Sequence, residues 1–106
     1  WGTEFQPHPD MQQRYDARLL VEAGTDAIVG HHPHVVQPAD SIGSAPVFYS
    51  LGNFVFDQSH PATQKATMAL LRFTSIGLKF ETIPIEIRRC RPQMIQKTLS
   101  LPLDIH

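Results

Sequence analysis

Apolar side chains recur at four-residue steps from Met11 through Tyr15 and Leu19 to Ala23, with Leu20 beside them. Gln12, Arg14, Asp16 and Arg18 lie largely off that stripe. This period predicts an amphipathic helix over residues 11–23 whose Met/Tyr/Leu stripe packs into the core. Asp10 stands where an N-cap belongs, and Gln13 three positions later completes a capping box. Asp10 and Arg14 are ordered for an i,i+4 ion pair, and Gly24 suits the C-terminal cap. Before the helix, Pro7 and Pro9 disfavour helical backbone, so Trp1 to Pro9 reads as loop.

After the helix the pattern changes to short apolar runs. Ala27-Ile28-Val29 reads as a buried strand, joined to the helix by Gly24-Thr25-Asp26 alone, which makes half of an α/β unit. Val35 to Pro46, with Pro38, Gly43 and Pro46, reads as loop and turn. Val47-Phe48-Tyr49-Ser50 is a second strand; Leu51-Gly52-Asn53 breaks it and Phe54-Val55-Phe56 resumes the apolar run. Ala66 to Phe73 is rich enough in Ala, Met and Leu to permit helix, but its place before Ser75-Ile76-Gly77 predicts the first strand of a hairpin running to Arg88. In the second strand Leu78 and Phe80 share one parity and Ile83, Ile85 and Ile87 the other, so a bulge is expected near Thr82. Pro84 points to an edge or bulged position. Arg88, Arg89 and Arg91 form a small basic cluster that reads as a solvated strand end in preference to a contact for an anionic substrate, and the chain from Pro92 onward has little pattern.

Chemistry concentrates in Gly30-His31-His32-Pro33-His34-Val35, which holds three of the six histidines. Neutral imidazole is the commonest protein metal ligand. The cluster follows the first strand, and ligands of open α/β sheets bind beyond the carboxyl ends of strands. If the backbone stays extended, His32 and His34 point to one side and His31 to the other. Asn53 and Asp57 lie within reach of such a site, or serve only as turn residues bonding their own backbone.

Composition narrows the class. The 106 residues are 42% hydrophobic with a formal net charge of -1, which is globular and gives no support to a nucleic-acid partner. No apolar run approaches a membrane span, and the lone Cys90 excludes an internal disulfide.

Three segments carry a family resemblance: Trp1-Gly2-Thr3-Glu4-Phe5, Gly24-Thr25-Asp26-Ala27-Ile28-Val29 with the histidine segment, and Tyr49-Ser50-Leu51-Gly52-Asn53-Phe54-Val55-Phe56-Asp57. Together they resemble the CapA family of capsule and poly-gamma-glutamate biosynthesis proteins, within the calcineurin-like metallophosphoesterase superfamily. The resemblance implies an α/β fold, the C-terminal part of a four-layer metallophosphoesterase-like α/β sandwich. Residues 1–91 would belong to that domain and 92–106 to a C-terminal tail. The superfamily's Gly-His-x-His ligand motif meets one extra residue here, so either His31 or His32 takes the first place and His34 the second. Strand parity favours His32 with His34.

The resemblance further implies two divalent transition metal ions in the full-length protein and metal-assisted hydrolysis of a phosphoester or related bond. His32 and His34 would be ligands, His31 a ligand or supporting donor, and Glu4 and Asn53 catalytic residues orienting substrate or water. The expected partners are an anionic polymer or phosphoester substrate and a membrane synthase complex. The expected location is extracytoplasmic, with a membrane anchor in an N-terminal segment outside this chain. The rival expectation is a non-catalytic scaffold that binds the acidic polymer or the synthase, because fold does not fix function.

Overall fold

The computed structural model describes residues 1–95. The helix α1 spans Met11–Glu22 and begins as its sequence dictates. The Asp10 carboxylate accepts from the Gln13 N–H at 2.7 Å, and the Gln13 side chain accepts from the Asp10 N–H at 2.9 Å. At the other end Gly24 adopts φ +106°; its N–H donates to Val21 O and the Thr25 N–H to Leu20 O. Those two bonds are a Schellman cap, which uses a residue free to enter the left-handed region.

Behind the helix lies a small sheet ordered β1-β3-β2, made of β1 (Ile28–Val29), β2 (Asp40–Ile42) and β3 (Ala45–Phe48). β1 and β3 run parallel, with Ile28 opposite Val47 and Val29 opposite Phe48; β2 and β3 form an antiparallel hairpin. β2 falls inside the stretch expected to be loop, and β3 begins at Ala45 rather than Val47. Asp40 and Ser41 gave no apolar signal because that strand is paired but exposed. Only Ile28 of β1 is buried; Val29 lies open on the far face, so the expected buried strand is covered on one side.

The helix packs through a different face from the one its stripe suggests. Gln13 and Ala17 are buried, and Ala17 joins Ile28, Val47 and Tyr49 in a core cluster with Trp1, Val21 and Ile42 against it. Met11 is 87% exposed, Tyr15 59% and Leu19 46%, which corrects the assignment of that stripe to core. The described molecule is a slab of 39 × 38 × 16 Å, too thin for a second layer over the outer helix face. Arg14 is not paired with Asp10 either; its guanidinium lies 5.7 Å from the centroid of the Tyr49 ring, while the Asp10 carboxylate is engaged as the cap.

The second sheet is ordered β4-β5-β6, from β4 (Lys65–Thr74), β5 (Gly77–Arg88) and β6 (Arg91–Met94). The expected hairpin is present, with Thr74 opposite Gly77 across the turn residues Ser75 and Ile76. Its register is continuous from Lys65–Glu86 to Thr74–Gly77, so no bulge occurs near Thr82. The switch of apolar parity is instead a real change of face. Ile83, Ile85 and Ile87 close a cluster with Ala66 and Met68 at one end, while Phe80 on the other face meets Phe48 edge-on at 5.6 Å. A two-stranded ribbon twists strongly enough to offer different faces along its length. Pro84 sits mid-sheet, one residue past the last β6 pair, Ile85–Met94, and accepts from the Ile95 N–H at 3.3 Å. Its missing N–H therefore costs little pairing.

β6 extends the ladder into residues first assigned to the tail; residues 96–106 of that tail lie outside the described residues. Arg88 to Arg91 form the exposed β5–β6 turn, with Arg89 and Cys90 both at positive φ and Arg88 bonded to Glu86 at 2.8 Å. The solvated strand end read from the sequence is thus a hairpin tip. The two sheets are stitched where Gly52 bridges Ala66 and the Thr67 N–H donates to Leu51 O at 2.9 Å. No helix among the described residues is long and apolar enough to cross a membrane.

Candidate functional site

The histidine segment leaves the carboxyl end of β1 beside the parallel strand β3. Gly30 continues the ladder, its N–H donating to Phe48 O at 2.7 Å and its C=O accepting from Leu51 at 3.3 Å. A glycine is required there because a Cβ would run into the Trp1 indole and the Tyr49 carbonyl. Trp1 fills that space, stacked on Tyr49 at 5.7 Å and donating Nε1–H to Tyr49 O at 2.6 Å.

Beyond Gly30 the backbone is not extended. His32 has φ +106° and His34 φ +63°, so strand parity does not hold and cannot assign the ligands. Buried Pro33 turns the chain between them, and its carbonyl accepts from the Phe5 N–H at 2.8 Å. Phe5 also has positive φ, +63°. Each such non-glycine residue carries backbone strain of about 1–3 kcal/mol, which persists only where the surroundings hold it. The holding groups lie in the first loop. Buried Gln37 donates to Gln6 O at 3.0 Å and His8 O at 3.2 Å, and accepts from Gln13 at 2.9 Å. The helix cap, the first loop and the segment after His34 are thus one buried polar network, which delivers Glu4 and Phe5 to the histidines.

The turn brings His32 and His34 together by a route other than the expected one: their ring centroids lie 5.7 Å apart. His34 is the better enclosed, with Phe56 at 5.3 Å and Phe5 at 6.1 Å. Its Nδ1 is 2.9 Å from Asn53 Oδ1, and its Nε2 is 3.9 Å from Glu4 Oε2, too far for a hydrogen bond. Asn53 is buried and gives its other end to Gln58, Nδ2 to Oε1 at 2.8 Å. His31 stands apart from that pair. It lines a cleft of about 350 Å³ together with Asn53 and the apolar side chains of Leu51, Phe54, Met68, Leu70 and Ile83. Asp57 is exposed.

Of the residues singled out from sequence, then, Glu4, His32, His34 and Asn53 converge and His31 flanks them. Sequence reasoning did not single out Gln58, Phe5 or Phe56 as site residues, although Phe5 and Phe56 lie inside the resemblance segments and Gln58 directly follows one of them. As a metal centre the set is incomplete. Among the described residues no group of three or more His, Cys, Asp or Glu side chains lies close enough to hold an ion. The chemistry of His34 nonetheless fits a ligand, since metal-bound histidines characteristically engage their other ring nitrogen with an oxygen acceptor.

One helix, a parallel strand pair and an antiparallel ribbon define a mixed α/β protein compatible with the C-terminal part of a larger α/β domain, its polar cluster at strand ends. The chain belongs to the family described as bacterial capsule synthesis protein PGA_cap, whose sequence model matches residues 1–58. It is 41% identical over 98 residues to the PGA biosynthesis protein CapA of Bacillus subtilis (strain 168), covering 92% of this chain and 26% of that protein. It is 37% identical over 101 residues to the capsule biosynthesis protein CapA of Bacillus anthracis, covering 94% of this chain and 25% of that protein. The chain spans about a quarter of the length of these relatives. The family read from the three sequence motifs is the family found.

Proposed function

We propose that this chain supplies the histidine-bearing part of a metal-dependent hydrolase site in a protein that makes or exports a capsule polymer, with poly-gamma-glutamate the polymer its relatives' names suggest. One observation carries the hydrolase reading: His34 has Nδ1 occupied by Asn53, leaving Nε2 on the side of Glu4, with the His32 ring centroid 5.7 Å from its own. Divalent ions bound there would polarise a phosphoester or related bond and supply hydroxide at neutral pH. His34 and His32 would hold such an ion with donors from the rest of the protein, and His31 would face the adjoining cleft. Glu4, more than half exposed, would orient water or substrate. Asn53, with both amide ends engaged, would act through His34 rather than on substrate directly. The whole protein would work outside the cytoplasm, anchored through a segment beyond this chain and beside a membrane synthase.

The test is elemental analysis and phosphoester hydrolysis by the full-length protein, with and without added divalent metal. His32→Ala with His34→Ala should remove most bound metal and hydrolysis while the protein stays folded. Unchanged metal content in that variant would refute the assignment. A second reading, a scaffold that binds the acidic polymer or the synthase without chemistry, draws support from the incomplete donor set. Polymer binding that survives loss of the histidines, with no hydrolysis in the parent protein, would favour it.

A further inference from the structure

The β5–β6 turn carries strain and repulsion that closing a hairpin does not require. Arg89 and Cys90 hold φ +52° and +65°. A two-residue hairpin loop of the I′ type demands such a positive pair, and Asn-Gly meets the demand without the strain that other residues bear. The flanking residues Arg88 and Arg91 are paired directly across the two strands, and like charges so placed repel. We infer that this tip is an anion-binding surface, on which Arg88, Arg89 and Arg91 grip successive carboxylates of an acidic polymer chain. The inference rests on the reading that the whole protein handles such a polymer, and it names the surface that receives it.

The three arginines, all exposed, line a concavity of about 550 Å³ together with Gln93. The register puts Glu86, Arg88, Arg91 and Gln93 on one face of the ribbon and buried Ile85 and Ile87 on the other. Among the described residues Glu86 is the one carboxylate bonded to the cluster, 2.8 Å from Arg88 Nε. That bond leaves the Nη groups of Arg88 free to donate, and a guanidinium fork matches a carboxylate in two parallel bonds. Three cations thus face one anion, in a chain whose formal net charge is -1. The lining has no apolar side chain. A segment that lies on a bilayer joins its cations to an apolar face that enters the lipid. This concavity offers guanidinium groups and an amide alone, the complement of carboxylates spaced along a flexible chain.

The same face leads back to the histidines. Glu86 is paired with Lys65 of β4. Lys65 lines a cleft of about 420 Å³ with Phe5, Val35 and Pro61, and the Phe5 ring lies 6.1 Å from that of His34. One further cation therefore stands between the tip and the margin of the site. The opposite end of the ribbon is the contrast. Arg72 is paired with Lys79 there, but the positive φ of that turn falls on Gly77, which bears it without strain.

The test uses the full-length protein and fluorescently labelled polyglutamate, read by anisotropy at low salt. Wild type should bind it, less tightly as salt rises. A triple variant, Arg89→Asn with Cys90→Gly and Arg91→Thr, installs residues the turn favours and removes two cations. It should bind polyglutamate about tenfold more weakly while its melting temperature holds or rises. Arg89→Lys with Arg91→Lys keeps the charge without the fork and should lose part of that affinity. Arg72→Gln with Lys79→Gln should bind as wild type does. Polyglutamate binding equal in wild type and the triple variant would overturn the inference and leave the polymer reading standing; no binding by wild type would bring down both. Equal losses from changes at the two ends of the ribbon would mean that net charge acts alone, with no site at the tip. Phosphatidylglycerol vesicles that sediment with wild type but not with the triple variant, while polyglutamate binds both, would assign the tip to a membrane surface and overturn the inference.

Discussion

The sheet that carries the histidines and the ribbon beside it are built on opposite plans. In the ribbon, β4 and β5 pair without a break from Lys65–Glu86 to Thr74–Gly77, and the core cluster consists of residues from those two strands. In the histidine layer β1 and β3 share two residue pairs, and the structure closes through distant contacts: Trp1 to Tyr49, Phe5 to Pro33, Gln13 to Gln37. The ribbon is held by backbone pairing between neighbours in sequence. The site is held by buried polar side chains and by residues at positive φ. A hairpin tolerates local change because its pairing is redundant; a loop held in a strained shape depends on each group that holds it.

The comparison is sharpened first by Ile85→Ala. Ile85 is 2% exposed and central to the ribbon cluster, so the truncation should cost about 2–5 kcal/mol. Thermal unfolding of the full-length protein measures it, and on the proposed metal reading the metal bound by the folded fraction should not change. Loss of metal at temperatures where the variant is folded would show that the ribbon shapes the site after all.

Gly30→Ala should come next, at about 1–3 kcal/mol, because the new methyl overpacks the Trp1 indole. Here stability and site should fail together. Trp1 is displaced, and its main-chain nitrogen, which donates to His31 O at 2.8 Å, leaves the histidine segment. A shifted tryptophan emission is the expected result, with weakened metal binding on the proposed metal reading; a stability loss with unchanged emission would place the strain elsewhere.

Gln13→Ala should cost about 1–3 kcal/mol, chiefly by leaving buried Gln37 without its side-chain donor. Its signature is loosening of the first loop, read as faster amide exchange at Phe5, whose N–H is bonded to Pro33 O. Protection at Phe5 equal to wild type would show that the loop holds Glu4 and Phe5 without the helix.

What sequence revealed follows the same division. The helix ends were legible because caps are chemistry between near neighbours: Asp10 with Gln13, Gly24 with Val21. The hairpin was legible because alternation and a turn are local too. The burial of the Met11–Tyr15–Leu19 stripe was not, since a stripe names an apolar face without naming what covers it. β2 and β6 escaped notice because exposed strands such as Asp40-Ser41-Ile42 and Arg91-Pro92-Gln93-Met94 show no period. In the site, residue types pointed to His32 and His34, yet the geometry that joins them is a pair of left-handed residues no alternation rule describes. Gln58 was not singled out because a turn contact such as its bond to Asn53 leaves no period in the sequence.

The smallest expected effect concerns Tyr49, where the histidine layer meets alkaline pH. Tyr49 is 2% exposed, stacked on Trp1, with Arg14 over its ring. Burial pushes its phenol above the ordinary value of 10.0, and the charge of Arg14 only partly offsets that. The folded state therefore prefers the protonated phenol more strongly than the unfolded chain does. For a group whose folded pKa is raised, this stability is fully present below the unfolded value and is lost as pH rises through the folded one. Denaturant unfolding of the full-length protein should accordingly show a stability decline that begins near pH 10. Tyr49→Phe keeps the ring against Trp1 and removes the ionisation, so it should flatten that decline while changing stability little at neutral pH. The ribbon supplies the control: its clustered residues Ala66, Met68, Ile83, Ile85 and Ile87 carry no titratable side chain. An alkaline decline identical in wild type and Tyr49→Phe would mean that the loss arises outside the Trp1–Tyr49 stack, and that the phenol is more hydrated than its burial indicates.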